Sequence, residues 1–437
     1  MFPAAASLQK GSPTDCSLCV SFPDTRHQSL AVHPVLAGNR FGNVNNPAKK
    51  SKEIPVKLMA TTPQAEIPVE IEVSTIPLPA GPHGKDEEIA LRYGPYLEAV
   101  HHLLVKDDYQ KLLQALCSRL SRVVSVDEID FLEIRSEKHG ACYHVARVDV
   151  CVSGQKVPFA VNVAATPEAR DQLARDFRLL ETLSNRYNYK FLPNVYFKGA
   201  GSYREKEKPA KWLHMFVAEW FRNFHEFHLH RDDISGSNRI LLWDPDRESG
   251  YLSEHQCQEL YRQAARILTL YYDYNNFKQI YPWHHAAGDF VLKEEQGKVD
   301  VRLITIRDYG AVVDFTSRKK AAELLGLILF FLHLTIQMRI DRLDGVGQVV
   351  WAEDHCLQGT VAGFFAGLPQ GKKESWKNIP SAGEIRELFC RFSRDEWLQL
   401  LVKMLESYKF SQEELSLLSH HGDSHIDCLK GLLVSSK

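Results

Sequence analysis

A chain of 437 residues is too long for one ordinary core and calls for two or three structural units. Hydrophobic residues make up 44% and charged residues 25%, a globular composition that excludes a chain disordered throughout. With 53 Lys and Arg against 55 Asp and Glu, the formal charge is −2, which argues against a dedicated nucleic-acid binder, so no nucleic-acid partner is expected.

Residues 1–84 read as a disordered tail and linker. The first 58 are rich in Pro, Gly, Asn and Ser, carry a basic cluster at Lys49, Lys50, Lys52 and Lys57, and hold no helical or strand period. Met59 opens an equally plausible start, and residues 1–58 are expected to be dispensable for folding. Met1 to Gly11 lacks the apolar segment of a signal peptide. Cys16 and Cys19 form a C-x-x-C with no second pair at zinc-site spacing, and a structural zinc needs four ligands. The nine cysteines, odd in number and widely spread, do not suggest a disulfide framework, so a reducing cytoplasm is the expected compartment.

From 86 to 124 the period is helical: Leu97, Val100, His101 and Leu104 share one face, and Leu112, Leu113, Leu116 and Leu120 another. Strand signals run from 127 to 165. Glu133-Ile134-Arg135, Tyr143 to Val150 and Val157 to Val163 are separated by short polar turns, which predicts an antiparallel meander. A helix follows, with Thr166 as N-cap, Pro167 in the first turn and Leu173, Phe177, Leu180 and Leu183 as its apolar stripe. Val195-Tyr196-Phe197 and Leu213 to Trp220 read as further extended segments. Beyond 250 the chain is mainly helical, with possible capping boxes at Ser253/Gln256, Ser381/Glu384, Ser393/Glu396 and Ser411/Glu414. One interruption, His284 to Leu292 and Val299 to Ile306, reads as a loop and two short strands joined by a turn at 294–298. The apolar run Leu324 to Leu334 is shorter than the ~20 residues a membrane span needs, so a buried core helix is expected and no span.

This succession predicts an α+β fold in two lobes: N-terminal helices and a β-rich lobe over 85–220, then a helical lobe over 221–437. Together with residues at its joints, it resembles the protein-kinase-like fold, and within it the aminoglycoside and choline phosphotransferases. The resemblance covers about 127–370. It implies that the strand–turn–strand from Glu133 to Val150 covers nucleotide phosphates. The V-A-I-K-like run is Phe159-Ala160-Val161-Asn162, with Asn162 in place of the lysine, and Asp176 matches the glutamate that would pair it. Phe216 to Phe221, including Glu219, resembles the adenine-binding connection. Tyr281 to Leu292 resembles the catalytic loop H-x-D-x-x-x-x-N. Asp289 then falls on the metal-binding Asn, and His284, five residues earlier, on the catalytic Asp. Ile304 to Gly310 resembles a strand plus D-F-G, with Asp308 as the principal metal ligand. By that resemblance the chain binds ATP with Mg²⁺, which prefers hard oxygen ligands.

Other clusters carry rival readings. His421-Gly422-Asp423-Ser424-His425 spells the phosphotransferase H-G-D-x-H, but only 12 residues follow, too few for a metal-binding strand and a helical lobe. With His420, Asp427 and Cys428 it has the ligand types of a transition-metal site. His225-Glu226-Phe227-His228 is not H-E-x-x-H, because its histidines stand three apart. Three functions follow: an atypical ATP-dependent phosphotransferase using His284; a pseudokinase acting as a binding or scaffolding module, favoured by Asn162 and His284; and a histidine–carboxylate metal-dependent enzyme. The sequence names neither an acceptor substrate nor a protein partner.

Overall fold

The computed structural model describes residues 52–61, 66–68, 74–78, 91–139, 143–164, 166–205, 209–243, 250–284, 288–313, 320–368 and 380–435. The chain divides into two units, Met1–Lys50 and Ser51–Lys437. The first lies outside the described residues, with Cys16, Cys19, Lys49 and Lys50 and the expectation of a disordered tail.

The second unit begins with β1 (Val56–Thr61) and β2 (Glu66–Pro68), then α1 (Tyr93–Val105) and α2 (Gln110–Leu120). Next come β3 (Ile129–His139), β4 (Tyr143–Val152), β5 (Gln155–Ala164), α3 (Pro167–Arg186), β6 (Val195–Tyr203) and β7 (Lys211–Glu219). The seven strands form one sheet in the order β2-β1-β3-β4-β5-β7-β6. It is antiparallel except where β1 runs parallel to β3, pairing Val56 with Leu132 and Met59 with Arg135. The β4–β5 turn is tight because Ser153 and Gly154 both take positive φ, the geometry that matches strand twist. Asp130 Oδ2 accepts the Gly154 N–H at 2.7 Å and fixes that turn. Thr166 caps α3 by accepting the Ala169 N–H at 3.2 Å, with Pro167 behind it, as the sequence predicts.

The expected linker is not linker throughout. Ile54, Met59 and Ala60 are buried, and Lys52 Nζ donates to the carbonyls of Asp127 and Ile129 at 2.9 Å each. The strand forms because the free edge of β3 supplies backbone partners; that edge, Leu132 opposite Val56, lies far along the chain, where local composition carries no sign of it.

The rest is mainly helical. It opens with a small antiparallel sheet, order β10-β9-β8, made of β8 (Glu226–Arg231), β9 (Asn238–Trp243) and β10 (Gly250–Tyr251). Then follow α4 (Glu254–Leu270), β11 (Lys278–Ile280), the hairpin β12 (Phe290–Glu295) and β13 (Lys298–Leu303), and β14 (Tyr309–Ala311), which pairs with β11. The chain continues with α5 (Lys320–Gln337), β15 (Ile340–Arg342), β16 (Val349–Trp351), α6 (Asp354–Gly367), α7 (Ala382–Arg391), α8 (Arg394–Ser407) and α9 (Gln412–Ser435). All four expected capping boxes form. The fold is therefore α+β, an antiparallel-rich sheet followed by a helical region.

One face of the large sheet packs on α1 and α2. The other face joins α3 in a second core that continues through α4 to α9. The apolar run becomes α5, at the centre of that core: Phe331 lies 4.5 Å from Phe364 and 4.9 Å from Phe389, ring centre to ring centre. No helix among the described residues is long and apolar enough to cross a membrane. Gly359, Gly363 and Gly367 form one stripe of α6, and a Cβ on any of them would meet α4. The missing side chains let the two helix backbones touch.

Candidate functional site

The predicted residues fall around the junction of the large sheet and the helical region. Asn162 sits on β5 opposite Phe216 of β7 and Val145 of β4. It shares a sheet face with Ala164, which belongs to the core under α3, whereas Val161 and Val163 face α1 and α2. Strand alternation therefore turns the lysine-replacing residue toward α3.

On α3, Asp176 is 3% exposed. Tyr143 Oη donates to Oδ2 at 2.7 Å and Gln172 Nε2 to Oδ1 at 2.6 Å. Burial pushes its carboxyl up to about 6, against the opposing pull of those two donors. The same Gln172 amide donates to the Arg307 carbonyl at 3.0 Å. One side chain thus ties α3 to the residue preceding Asp308.

The loop before β12 closes on itself. Asp289 is 2% exposed, and its Oδ2 accepts the His284 backbone N–H at 2.7 Å. Its Oδ1 takes the Arg307 guanidinium at 2.8 Å. The Asp289 carbonyl accepts from Ile304 N–H at 2.8 Å, which fixes this loop on the strand leading to Asp308. Asp308 is exposed and spends Oδ1 on the N–H of Tyr309 at 2.7 Å. Burial and the nearby Arg307 lower the pKa of His284, Asp289 opposing them. His285 lies outside the described residues. Arg307 thus joins the neighbourhoods of Asp289 and Asp308, and Gln172 joins both to Asp176.

Glu219 sits apart from this group. It ends β7, where Oε1 pairs with Arg119 at 2.5 Å and Oε2 accepts from Asn194 Nδ2 at 2.7 Å. Its own N–H donates to the Asn194 carbonyl at 2.8 Å. Its carboxylate and N–H thus fasten α2 and the start of β6 to the sheet.

Sequence reasoning missed Tyr143, Gln172 and Arg307, and also a second ion pair. Lys138, near the end of β3, reaches Glu226 at the start of β8 with 2.6 Å between Nζ and Oε1. The next residue back, His225, exchanges backbone hydrogen bonds with Leu292 of β12 at 2.8 and 2.9 Å. The signal for β8 was present in Phe227-His228-Leu229-His230: Phe227 and Leu229 are buried while His228 and His230 alternate with them.

The rival clusters disperse. His230 pairs with Asp344 at 2.7 Å. On α9, Asp423 and Asp427 face Arg394 at 3.2 and 2.7 Å, His421 stacks on Trp351, and buried His425 meets Thr335 Oγ1 at 3.2 Å. Among the described residues, no group of three or more His, Cys, Asp or Glu side chains gathers as a metal site. A cavity of about 490 Å³ lies elsewhere, lined by Arg339, Trp351, Asp354, His421 and Cys428 among others, and shares no residue with the Asp289 group. The six described cysteines are free thiols.

No family model and no curated protein matches the sequence. Among solved structures, a crystal structure of Rad53 1-466 in complex with AMP-PNP is similar at 11% identity and a TM-score of 0.30. The match covers 64% of this chain and 66% of that one, just under two thirds of its length. A likeness at that TM-score adds nothing to what the chain's own strand order and contacts display.

Proposed function

We propose that this protein is a kinase-like nucleotide-binding module that holds phosphate on basic side chains and does not run aspartate-driven phosphoryl transfer. The observation that carries this reading is the Asp289–Arg307 pair. A hairpin, a third strand, a helix, two more strands, a catalytic-type loop and a D-Y-G strand occur in the order the resemblance implies. Residues from four of these segments meet around Arg307. Where that fold would place a second metal-binding group, a buried carboxylate has both oxygens taken by a guanidinium and an N–H. Mg²⁺ usually binds one or two carboxylates together with substrate phosphates. Asp308 offers one and Asp289, held by Arg307, offers none, so the donor set does not fit a two-carboxylate Mg²⁺ site. Arg307 is 40% exposed on its side chain, so its guanidinium remains open to an anionic ligand.

Calorimetry with ATP tests this directly. Binding is expected with and without Mg²⁺, weakened about tenfold or more in Arg307→Gln and little changed in Asp308→Ala. Binding that required Mg²⁺ and vanished in Asp308→Ala would restore a metal role to that carboxylate. No ATP binding under either condition would end the nucleotide reading.

One observation favours an atypical phosphotransferase as a second reading. Burial and Arg307 keep the His284 imidazole neutral at physiological pH, ready to accept an acceptor proton. Turnover would then already sit on its plateau at pH 7 and decline only below the ordinary histidine range. His284→Ala would cost about 10²- to 10⁴-fold. ATP turnover and self-phosphorylation followed across pH, in wild type and His284→Ala, separate the two readings.

A further inference from the structure

We propose that Lys138 of β3 supplies the phosphate-binding ammonium that Asn162 does not, an inference that rests on the nucleotide reading above. The resemblance puts a neutral amide on the third strand, so the positive charge must come from elsewhere. Lys138 lies two strands away, and its side chain leaves the sheet to meet Glu226 at 2.6 Å. There it stands directly over Gly288, the residue before Asp289. A Cβ at position 288 would collide with Lys138 Nζ and reach within 3.5 and 3.6 Å of the two Glu226 oxygens. Gly288 also takes φ +87°, which side chains rarely adopt. The backbone is therefore bare where the ammonium enters, and the ammonium and the Arg307 guanidinium flank consecutive residues of one loop.

The ion pair is poised for exchange. Lys138 is 46% exposed on its side chain and Glu226 19%, so the ammonium is open to solvent and an anion can approach it. A polyphosphate carries more charge than one carboxylate, and a lysine's flexible stem allows its ammonium to swing from Glu226 to that ligand. Glu226 then keeps His228, whose Nε2 lies 3.9 Å away, as a neighbour. In this arrangement Glu226 is a positioning residue and a competitor for the ammonium.

Calorimetry with ATP and with adenosine, on wild type, Lys138→Met, Lys138→Arg and Glu226→Gln, tests the assignment. Lys138→Met should weaken ATP at least tenfold and leave adenosine unchanged, with Lys138→Arg recovering most of the loss. Glu226→Gln should tighten ATP, because the ammonium no longer has to leave a carboxylate. ATP binding by wild type that Lys138→Met leaves intact would overturn this inference alone. An equal loss of ATP and adenosine would do the same, by making Lys138 structural. Failure of wild type to bind ATP would overturn the nucleotide reading itself, and this inference with it.

Discussion

At the scale of single residues, the buried histidines set the acid limit of the protein. Burial lowers His139 and His144 to about 4 and His333 and His425 to about 3, with a smaller push on His139 from His144 and on His425 from Arg339. Each stays neutral in the folded chain while the unfolded chain takes up a proton near 6.5. Stability is therefore intact above pH 6.5 and falls as pH drops from 6.5 to about 4 for His139 and His144 and to about 3 for His333 and His425, by at most about 2 kcal/mol per histidine at pH 5. Asp176 runs the other way. Its folded pKa is raised, so its unfavourable contribution at neutral pH eases as pH falls through about 6. Four groups outweigh one, and the urea midpoint should drop clearly between pH 7 and pH 5. His333 gives the sharpest check. It stacks on Tyr408 with 3.8 Å between ring centres, and neither ring nitrogen has a hydrogen-bond partner among the described residues. His333→Phe should raise stability at pH 7 by about 1–2 kcal/mol and flatten the pH dependence. An unchanged pH dependence would mean that His333 is not neutral and buried in solution. The ring also lies beneath Tyr281 and Trp283, so the variant reports on the loop that carries His284.

At the scale of elements, what could be read from sequence was what local chemistry decides. Thr166-Pro167, the four Ser/Glu or Ser/Gln boxes and the 294–298 turn each fix a helix start or hairpin from a few adjacent residues. β1 and β8 were not legible in the same way. The first depends on an edge far along the chain, and the second was hidden because its alternation is carried by histidines. The site divides similarly: Asp289, His284 and Asp308 were picked out by the family resemblance of their local segments, while Arg307, Gln172, Lys138 and Glu226 emerge only from contacts between segments distant in sequence. The stripe on α6 makes the element-level prediction. A methyl at Gly363 meets the Arg262 carbonyl and Ala265 Cβ on α4, both fixed in a packed helix pair. Gly363→Ala should cost about 1–3 kcal/mol, measured as a lowered melting temperature. A neutral substitution would mean that the two helices are not in backbone contact.

At the scale of the whole molecule, a single sheet carries a core on each face, and α3 contributes to the core that runs on into the helical region. Trimming the N-terminus should therefore reveal a sharp boundary. A chain beginning at Ser51 should melt like the full-length protein. One beginning at Thr62 loses all of β1 and the burial of Ile54, Met59 and Ala60, and should melt several degrees lower. A start at Met59, half-way along the strand, should already be impaired; full stability there would show that Ile54 and the Val56–Leu58 half of β1 add nothing. The parallel register of β1 on β3 also has a consequence for synthesis. A ribosome makes Val56–Met59 long before Leu132–Arg135, the residues that pair with them. At ~5–20 residues per second, the nascent strand waits several seconds for β3, with only the three-residue β2 made early enough to pair with it. During that interval the edge of β1 that pairs with β3 is exposed, open to chaperones and to other nascent copies. The yield of correctly folded protein should accordingly depend on how translation is paced between those two points.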